Sequence, residues 1–353
     1  MDKKIKLGIV GLGTMAGQLA GAVARCSGME LYAACARDPE KLRGFSGRWG
    51  VPKAFESYEE MLADDRLDAV MIATPNYLHA PMAISALNAG KHVFCEKPPA
   101  TNAEDALAMM ETAEKTGQIL MYGLVFRFSP KHAFIRDLRD KGVFGDFYYG
   151  KAGIVRRCND PGGWFDVPEL SGGGPLIDLG PHIIDLAMYT MGGFEPVSVF
   201  ARTFKKVENL KGIKCHGGYK ASSQDCAESA VEELASVMVN AKSGACLLAE
   251  TSFSSHIKED SLYMSLLGSK GGVETDPEIR ISTAMHGYMF DMLPVVDCGQ
   301  FDYGQGIVDE VQHFADCVSG KCECAVPPLA GYTLMRVIAA AYRSAKSGQV
   351  ETV

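Results

Sequence analysis

The chain reads as an α/β protein of two domains. Residues 1–124 predict a doubly wound parallel sheet, and residues 125–353 an α+β domain with a mostly antiparallel sheet. Three observations predict this. Up to residue 125, short apolar runs alternate with helical patterns about every 25 residues, the rhythm of parallel strands covered by helices. Beyond it, several strand-like runs follow one another without helices between them, which favours antiparallel pairing. A chain of 353 residues is also longer than one ordinary core supports.

In order, "IKLGIV" from Ile5 is a buried parallel strand, and "GLGTMA" turns into a helix running to Arg25. "ELYAACAR" is the second strand. Asp38 caps the next helix, with Pro39 at its first position. "LDAVMIAT" and "HVFCEKP" are strands around a helix closed by Gly90. Asn102 opens and Gly117 stops another helix, before the strand "QILMYGLV". Helices are expected near 130–141 and 175–191. The strands "DFYYGKAGIVRR", "PVSVFARTFKKV" and "SLYMSLLGSKGGVET" accompany them, with a hairpin turning at Ser243-Gly244. Two late helices close the chain, the last with Leu334, Ile338, Ala341 and Ala345 on one apolar face. A cleft between the two regions is the default site.

Composition narrows the class. Hydrophobic residues make up 47% and charged residues 22%, ordinary for a soluble globular protein. The net charge of −8, without a long basic run, argues against nucleic acid as a partner. No segment supplies the ~20 uninterrupted apolar residues of a membrane span. The start, "MDKKIKLGIVGLGTMAGQLAGAVA", has the outline of a signal peptide, but only a strand–turn–helix explains its glycines. The 11 cysteines are scattered. Cys322 and Cys324 alone lie close, with no second pair and no adjacent His, so reduced thiols in a cytoplasmic protein are expected.

Gly11, Gly13 and Ala16 form G-x-G-x-x-A between a strand and a helix, with Thr14 and Met15 inside it. Gly11 permits the tight turn, Gly13 lets a pyrophosphate approach the backbone, and Ala16 keeps the helix against the strand. A Rossmann-type dinucleotide site is the expectation. After the second strand, an acid would bind the ribose hydroxyls of NAD. If Ala36 holds that position, Arg37 faces a 2′-phosphate and the cofactor is NADP. A slip of one or two residues makes Asp38 the acid and the cofactor NAD. The reading favours NADP.

In "GGGPLIDLGPHIID", Asp178, His182 and Asp185 are spaced four and three apart, near one helix face. They suit a metal, an acid–base device or structural pairing equally. Pro181 places the helix start near Asp178, because an interior Pro would delete a bond.

Three further pieces decide the class: "ATPNYLHAPMAISALNAGKHVFCEKPPA", "FRFSP" and "GGGPLIDLGPHIIDL". In this order and spacing the chain resembles, over essentially its full length, the Gfo/Idh/MocA oxidoreductases, named for glucose–fructose oxidoreductase and inositol dehydrogenase. The resemblance implies a Rossmann domain and a C-terminal domain whose large open sheet forms a homodimer or homotetramer interface. It implies Lys97, Asp178 and His182 as catalytic positions. Pro75, Asn76 and His79 would line the nicotinamide side, and Glu96 and Pro98 would lie along the cofactor. Arg127 and Trp164 fall where the family meets substrate. Specificity would lie in loops such as that of Arg156, Arg157 and Asn159.

The activity so implied is NAD(P)-dependent hydride transfer from a secondary hydroxyl of a sugar, glycoside or cyclitol. His182 suits the base and Lys97 the charge that stabilises an alkoxide. With Lys97 supplying that charge, no metal is needed. Asp185 is read as a structural polar group. The rivals are a dihydrodiol-type dehydrogenase, an NAD-recycling glycosidase and a non-catalytic dinucleotide-binding regulator.

Overall fold

The computed structural model describes residues 4–207, 220–221, 229–295 and 301–353. These fall into two compact units, Met1–Val125 with Asp302–Met335, and Phe126–Phe301 with Arg336–Val353.

In the first unit the apolar runs become β1 (Ile5–Val10), β2 (Met29–Cys35), β3 (Lys53–Phe55), β4 (Ala69–Ile72), β5 (His92–Glu96) and β6 (Leu120–Gly123). Between them lie α1 (Thr14–Val23), α2 (Pro39–Trp49), α3 (Tyr58–Leu62), α4 (His79–Asn88) and α5 (Ala103–Thr116). The strands pair in parallel in the order β3-β2-β1-β4-β5-β6. Leu7, Ile9 and all of Ala69–Ile72 are fully buried, as central parallel strands covered on both faces require. The caps follow the sequence: the Asp38 carboxylate accepts the N–H groups of Glu40 and Lys41, Asn102 accepts that of Asp105, and Gly117 closes α5 in the left-handed region. β3 and α3 are too short to carry a periodic signal and were not expected.

The second unit begins with α6 (Pro130–Asp140) and β7 (Phe147–Val155), followed by the short α7 (Pro168–Ser171) and α8 (Pro175–Asp178), then α9 (Gly180–Met191). The expected helix over 175–191 is thus broken at Leu179, with Pro181 in the first turn of α9, where its missing N–H costs nothing. Next come β8 (Pro196–Phe204), β9 (Leu234–Ala241), β10 (Cys246–Ser252), β11 (Ser261–Gly268), β12 (Gly271–Glu274), β13 (Arg280–Met285) and β14 (Tyr288–Met292). The chain returns to the first unit with α10 (Tyr303–Val318) and the start of α11 (Pro328–Ser347); the rest of α11 and β15 (Glu351–Thr352) belong to the second.

The second sheet has nine strands, β14-β13-β12-β11-β7-β10-β9-β8-β15, and only the β7–β10 pair is parallel. Its two faces differ. Ala201, Val237, Ala249, Ala152 and Met264 stand side by side across five strands and are all buried, on the face that packs against α9. The neighbouring row, from Phe200 through Met238 to Leu248 and Lys151, points the other way, as the two-residue period demands. On that face Met238 and Leu267 are exposed.

In the first unit α10 packs on α1, and Phe314 meets Phe94 of β5 edge-on at 5.7 Å. Among the described residues no helix is long and apolar enough to cross a membrane. The signal-like start forms β1, a turn and α1, except for residues 1–3, which lie outside the described residues. One expectation is corrected: Cys158 is disulfide-bonded, while seven other cysteines are free. Pairing is set by which segments the fold joins, so scattered spacing carries no signal of it. Cys215, Cys226 and Cys298 lie outside the described residues.

Candidate active site

In the first unit the site is built at the carboxyl ends of the strands. β1 and β4 are neighbours although β2 and β3 follow β1 in sequence, so the strand order reverses between them and opens a crevice. Gly11 lies in that crevice with φ +84, and a Cβ there would sit 2.6 Å from the backbone of Ala73. No side chain fits. Gly13 is the N-cap of α1 without a side-chain cap bond, and the first turn carries no acid. The leading N–H groups of α1 therefore suit a pyrophosphate. Thr14 and Met15 begin α1, and Ala16 is fully buried against the sheet.

The edge of β2 bears on the adenosine end. β2 stops at Cys35, with Ala36 next and Arg37 exposed. The Asp38 carboxylate is engaged as the α2 cap at 2.9 and 3.2 Å.

The loops after β4 and β5 are tied together by one imidazole. His79 is buried, with Nδ1 at 2.7 Å from the Pro98 carbonyl oxygen and Nε2 at 2.9 Å from that of Thr74. Burial pushes its pKa below the usual histidine value and the Lys97 charge adds to this, while the two carbonyls pull it up. Pro75 precedes the turn Asn76–Leu78, and Asn76 is buried. Lys97 follows β5 directly and is half-buried.

Glu96 is buried beneath this turn, and its Oε2 accepts the Lys97 N–H at 3.3 Å. Gly123 of β6 leaves it room, since a Cβ there would lie 3.1 Å from Oε2. Burial pushes Glu96 up to about 7, partly offset by the Lys97 charge. Glu310 of α10, also buried, is pushed well up by burial and further by the charge of Glu96.

In the second unit Asp178 ends α8 and His182 lies in the first turn of α9, both buried. Phe126 meets the His182 ring edge-on at 5.2 Å and 87°, which fixes its plane. Of the three glycines before them, Gly172 caps α7 at φ +85 and the other two are explained by packing. The Glu232 carboxylate accepts the N–H of Gly174 at 3.0 Å and of Leu176 at 3.1 Å, and the Tyr342 hydroxyl at 2.8 Å. A Cβ on Gly174 would sit 2.3 Å from the Glu232 carbonyl oxygen, and one on Gly173 would sit 2.0 Å from the Tyr342 hydroxyl. Glu232 thus holds the start of α8, in good alignment with the helix dipole.

Arg127 is paired with Asp185 through two bonds of 2.7 and 2.5 Å, with side chains 8% and 3% exposed. Its guanidinium also lies 4.1 Å over Tyr189, which Arg136 covers at 4.2 Å. Removing either partner of the pair strands a buried charge, a cost of about 3–5 kcal/mol. Trp164 stacks on Phe165 at 3.8 Å and is half-buried, and Arg156 is half-buried just past β7.

Reading the sequence missed Glu232, Tyr342 and Glu310. Nothing local marks Glu232 or Tyr342, which lie 58 and 110 positions from their partners. Glu310 does carry a signal: it is an acid on the apolar face of α10, between Ile307 and Phe314.

A chain with a dinucleotide crevice, a lysine following β5 and a large, mostly antiparallel second sheet is of the Rossmann oxidoreductase class. Residues 5–124 match the model described as "Oxidoreductase family, NAD-binding Rossmann fold", and residues 132–274 the "GFO/IDH/MocA C-terminal domain". The chain belongs to the Gfo/Idh/MocA family and is an NAD(P)-dependent oxidoreductase. It is 32% identical to D-glucoside 3-dehydrogenase of Escherichia coli K12, over 98% of this chain and 96% of that one. To D-xylose 1-dehydrogenase (NADP(+)) 2 of Haloferax volcanii it is 28% identical, covering 90% of each. A solved levoglucosan dehydrogenase with NADH and levoglucosan shares the fold, with a TM-score of 0.87 at 20% identity over 99% of this chain and 100% of that one.

The raised pKa of Glu96 has a thermodynamic consequence. The folded state keeps a proton that the unfolded chain gives up, so stability falls as pH rises from 4.5 to about 7. For Glu96 alone the loss is roughly 3 kcal/mol. Glu96→Gln should shrink the drop in Tm between about pH 5 and pH 8, read by circular dichroism. An unchanged drop would contradict this assignment.

Proposed function

We propose that this protein is a dehydrogenase that oxidises a secondary hydroxyl of a sugar or glycoside, with a D-glucoside as the first substrate class to test. The observation that carries this is Lys97, held directly after β5 beside the reversed strand order, in a chain related end to end to D-glucoside 3-dehydrogenase. The crevice residues fit a dinucleotide: Gly11, Gly13 and the start of α1 would hold its pyrophosphate, with Asn76, His79 and Pro98 towards the nicotinamide. When bound, the nicotinamide supplies the hydride acceptor.

The chain's own groups handle the proton and the charge. The substrate C–H leaves as hydride while its O–H proton passes to His182, leaving a carbonyl. The Lys97 ammonium stabilises the alkoxide that develops. Asp178, one turn before His182, stabilises the imidazolium and orients the ring. Arg156 and Trp164 are the substrate-contacting candidates of their loop. For Arg127 we propose an indirect role, since its guanidinium is engaged by Asp185.

NADP is the proposed preference. Ala36 offers no carboxylate at the end of β2, Arg37 is exposed, and Asp38 is committed to its cap. The open apolar face of the second sheet, with Met238 and Leu267 exposed, supports a homodimer or homotetramer. We place the protein in the cytoplasm, where seven free cysteines keep their thiols. Among the described residues, the Cys158 disulfide is a feature that an oxidising compartment would favour.

Purified protein should reduce NADP, and NAD less well, with a glucoside, sugar or cyclitol panel, followed at the reduced-nicotinamide absorbance. Lys97→Met should lower kcat by at least about 100-fold with cofactor affinity within a few-fold, and Arg37→Ala should erase the NADP preference. Full turnover by Lys97→Met would remove that residue from the chemistry. Light scattering should give two or four chains per particle, and Met238→Lys with Leu267→Lys should give monomers. A monomeric wild type would overturn the interface.

A further inference from the structure

The C-terminal end of α10 carries a cluster that hydride transfer does not use. His313 and Cys317 are four residues apart on this helix, so they project from one face over its last turns. Beyond it Gly320 adopts φ +69, the Lys321 N–H bonds back to the Asp316 carbonyl at 2.9 Å, and the chain reverses. Cys322 and Cys324 return with it. Cys317 Sγ lies 3.3 Å from His313 Nε2 and 3.7 Å from Cys322 Sγ. Cys322 Sγ lies 3.7 Å from His313 Nδ1, and the Cys324 thiol is within hydrogen-bond reach of Cys317. Single ligand atoms of His313, Cys317 and Cys322 all fall within 4.8 Å of one another.

These separations match a tetrahedral zinc ion. Zn–S bonds of about 2.3 Å and a Zn–N bond of about 2.0 Å put sulfurs about 3.8 Å apart and sulfur and nitrogen about 3.5 Å apart. Soft thiolate donors with one imidazole select zinc over magnesium or calcium. Cys317 is buried and His313 half-buried, while Cys322 is exposed, which leaves the ion a way in. The Cys322-Cys324 pair has no histidine next to it in sequence. The fold supplies His313, together with Cys317, from the preceding helix.

We propose that His313, Cys317, Cys322 and Cys324 form a Cys₃His zinc site that clips the loop between α10 and α11 to the end of α10. The ion would serve structure, not hydride transfer. Binding requires two rearrangements. The Cys324 thiol, beside Cys317 but outside the group of His313, Cys317 and Cys322, closes on the ion. His313 Nε2, which faces Cys317, now accepts the Ala325 N–H at 2.9 Å. With zinc on that nitrogen the amide turns to a thiolate sulfur, a competent acceptor.

The test is metal analysis of the full-length protein purified under reducing conditions without chelator. About one zinc per chain is expected, and cobalt(II) in its place should give the thiolate charge-transfer and intense visible bands of a tetrahedral site. The double variant Cys322→Ser/Cys324→Ser should lose both the zinc and the cobalt bands, with a lower Tm and with dehydrogenase activity retained. Three results would overturn the proposal: no zinc after reconstitution, zinc content unchanged in the double variant, or a Cys317–Cys322 disulfide in the peptide mass spectrum.

Discussion

The first unit turns on one constraint. A parallel sheet opens at the point where its strand order reverses, and nothing in the sheet itself fixes the loops that leave it there. Here one buried imidazole does so. His79 bridges the Thr74 and Pro98 carbonyls, and so joins the loop after β4 to the turn that carries Lys97. Both carbonyls are acceptors, so a neutral imidazole donates to one of them and only the imidazolium donates to both. Glu96 supports the same turn from below through the Lys97 N–H. The lysine's stem is thereby held on the rigid end of a strand.

The second unit solves a similar problem with a carboxylate. α8 is a single turn and cannot hold its own start. Glu232 accepts two of its leading N–H groups and the Tyr342 hydroxyl, and glycines allow that approach. The break at Leu179 then sets Asp178 at the end of one helix and His182 at the start of the next. Below them the Arg127–Asp185 pair joins the residues before α6 to α9. The long polar side chains of this unit thus serve mainly to hold short helices in place.

Much of this was legible from residue order. The five apolar runs of the first domain, the Asp38 and Asn102 caps and the Ser243-Gly244 hairpin all carry local signals, because caps, turns and periodicity act over a few residues. Less was legible where partners are remote. The strands β13 and β14 turn at His286-Gly287, both at positive φ. His there gives a weaker turn signal than Asn or Asp would. β15 has two residues and exists only by pairing with β8. The triple glycine gives no local sign of what it packs on, since Glu232 and Tyr342, which meet Gly174 and Gly173, lie far along the chain. The acids and thiols of α10 gave no motif because their partners come from β5 and from a reversed loop.

The account stands most directly on the imidazole that ties the two loops, and kcat of His79→Leu at saturating cofactor and sugar measures it. Leucine keeps the volume but loses both carbonyl contacts. The account predicts a fall in kcat of at least about tenfold, equivalent to 1.4 kcal/mol in the barrier, in a protein that still folds and binds cofactor. A variant with unchanged kcat would show that the Lys97 turn holds its position without His79, and would contradict the account.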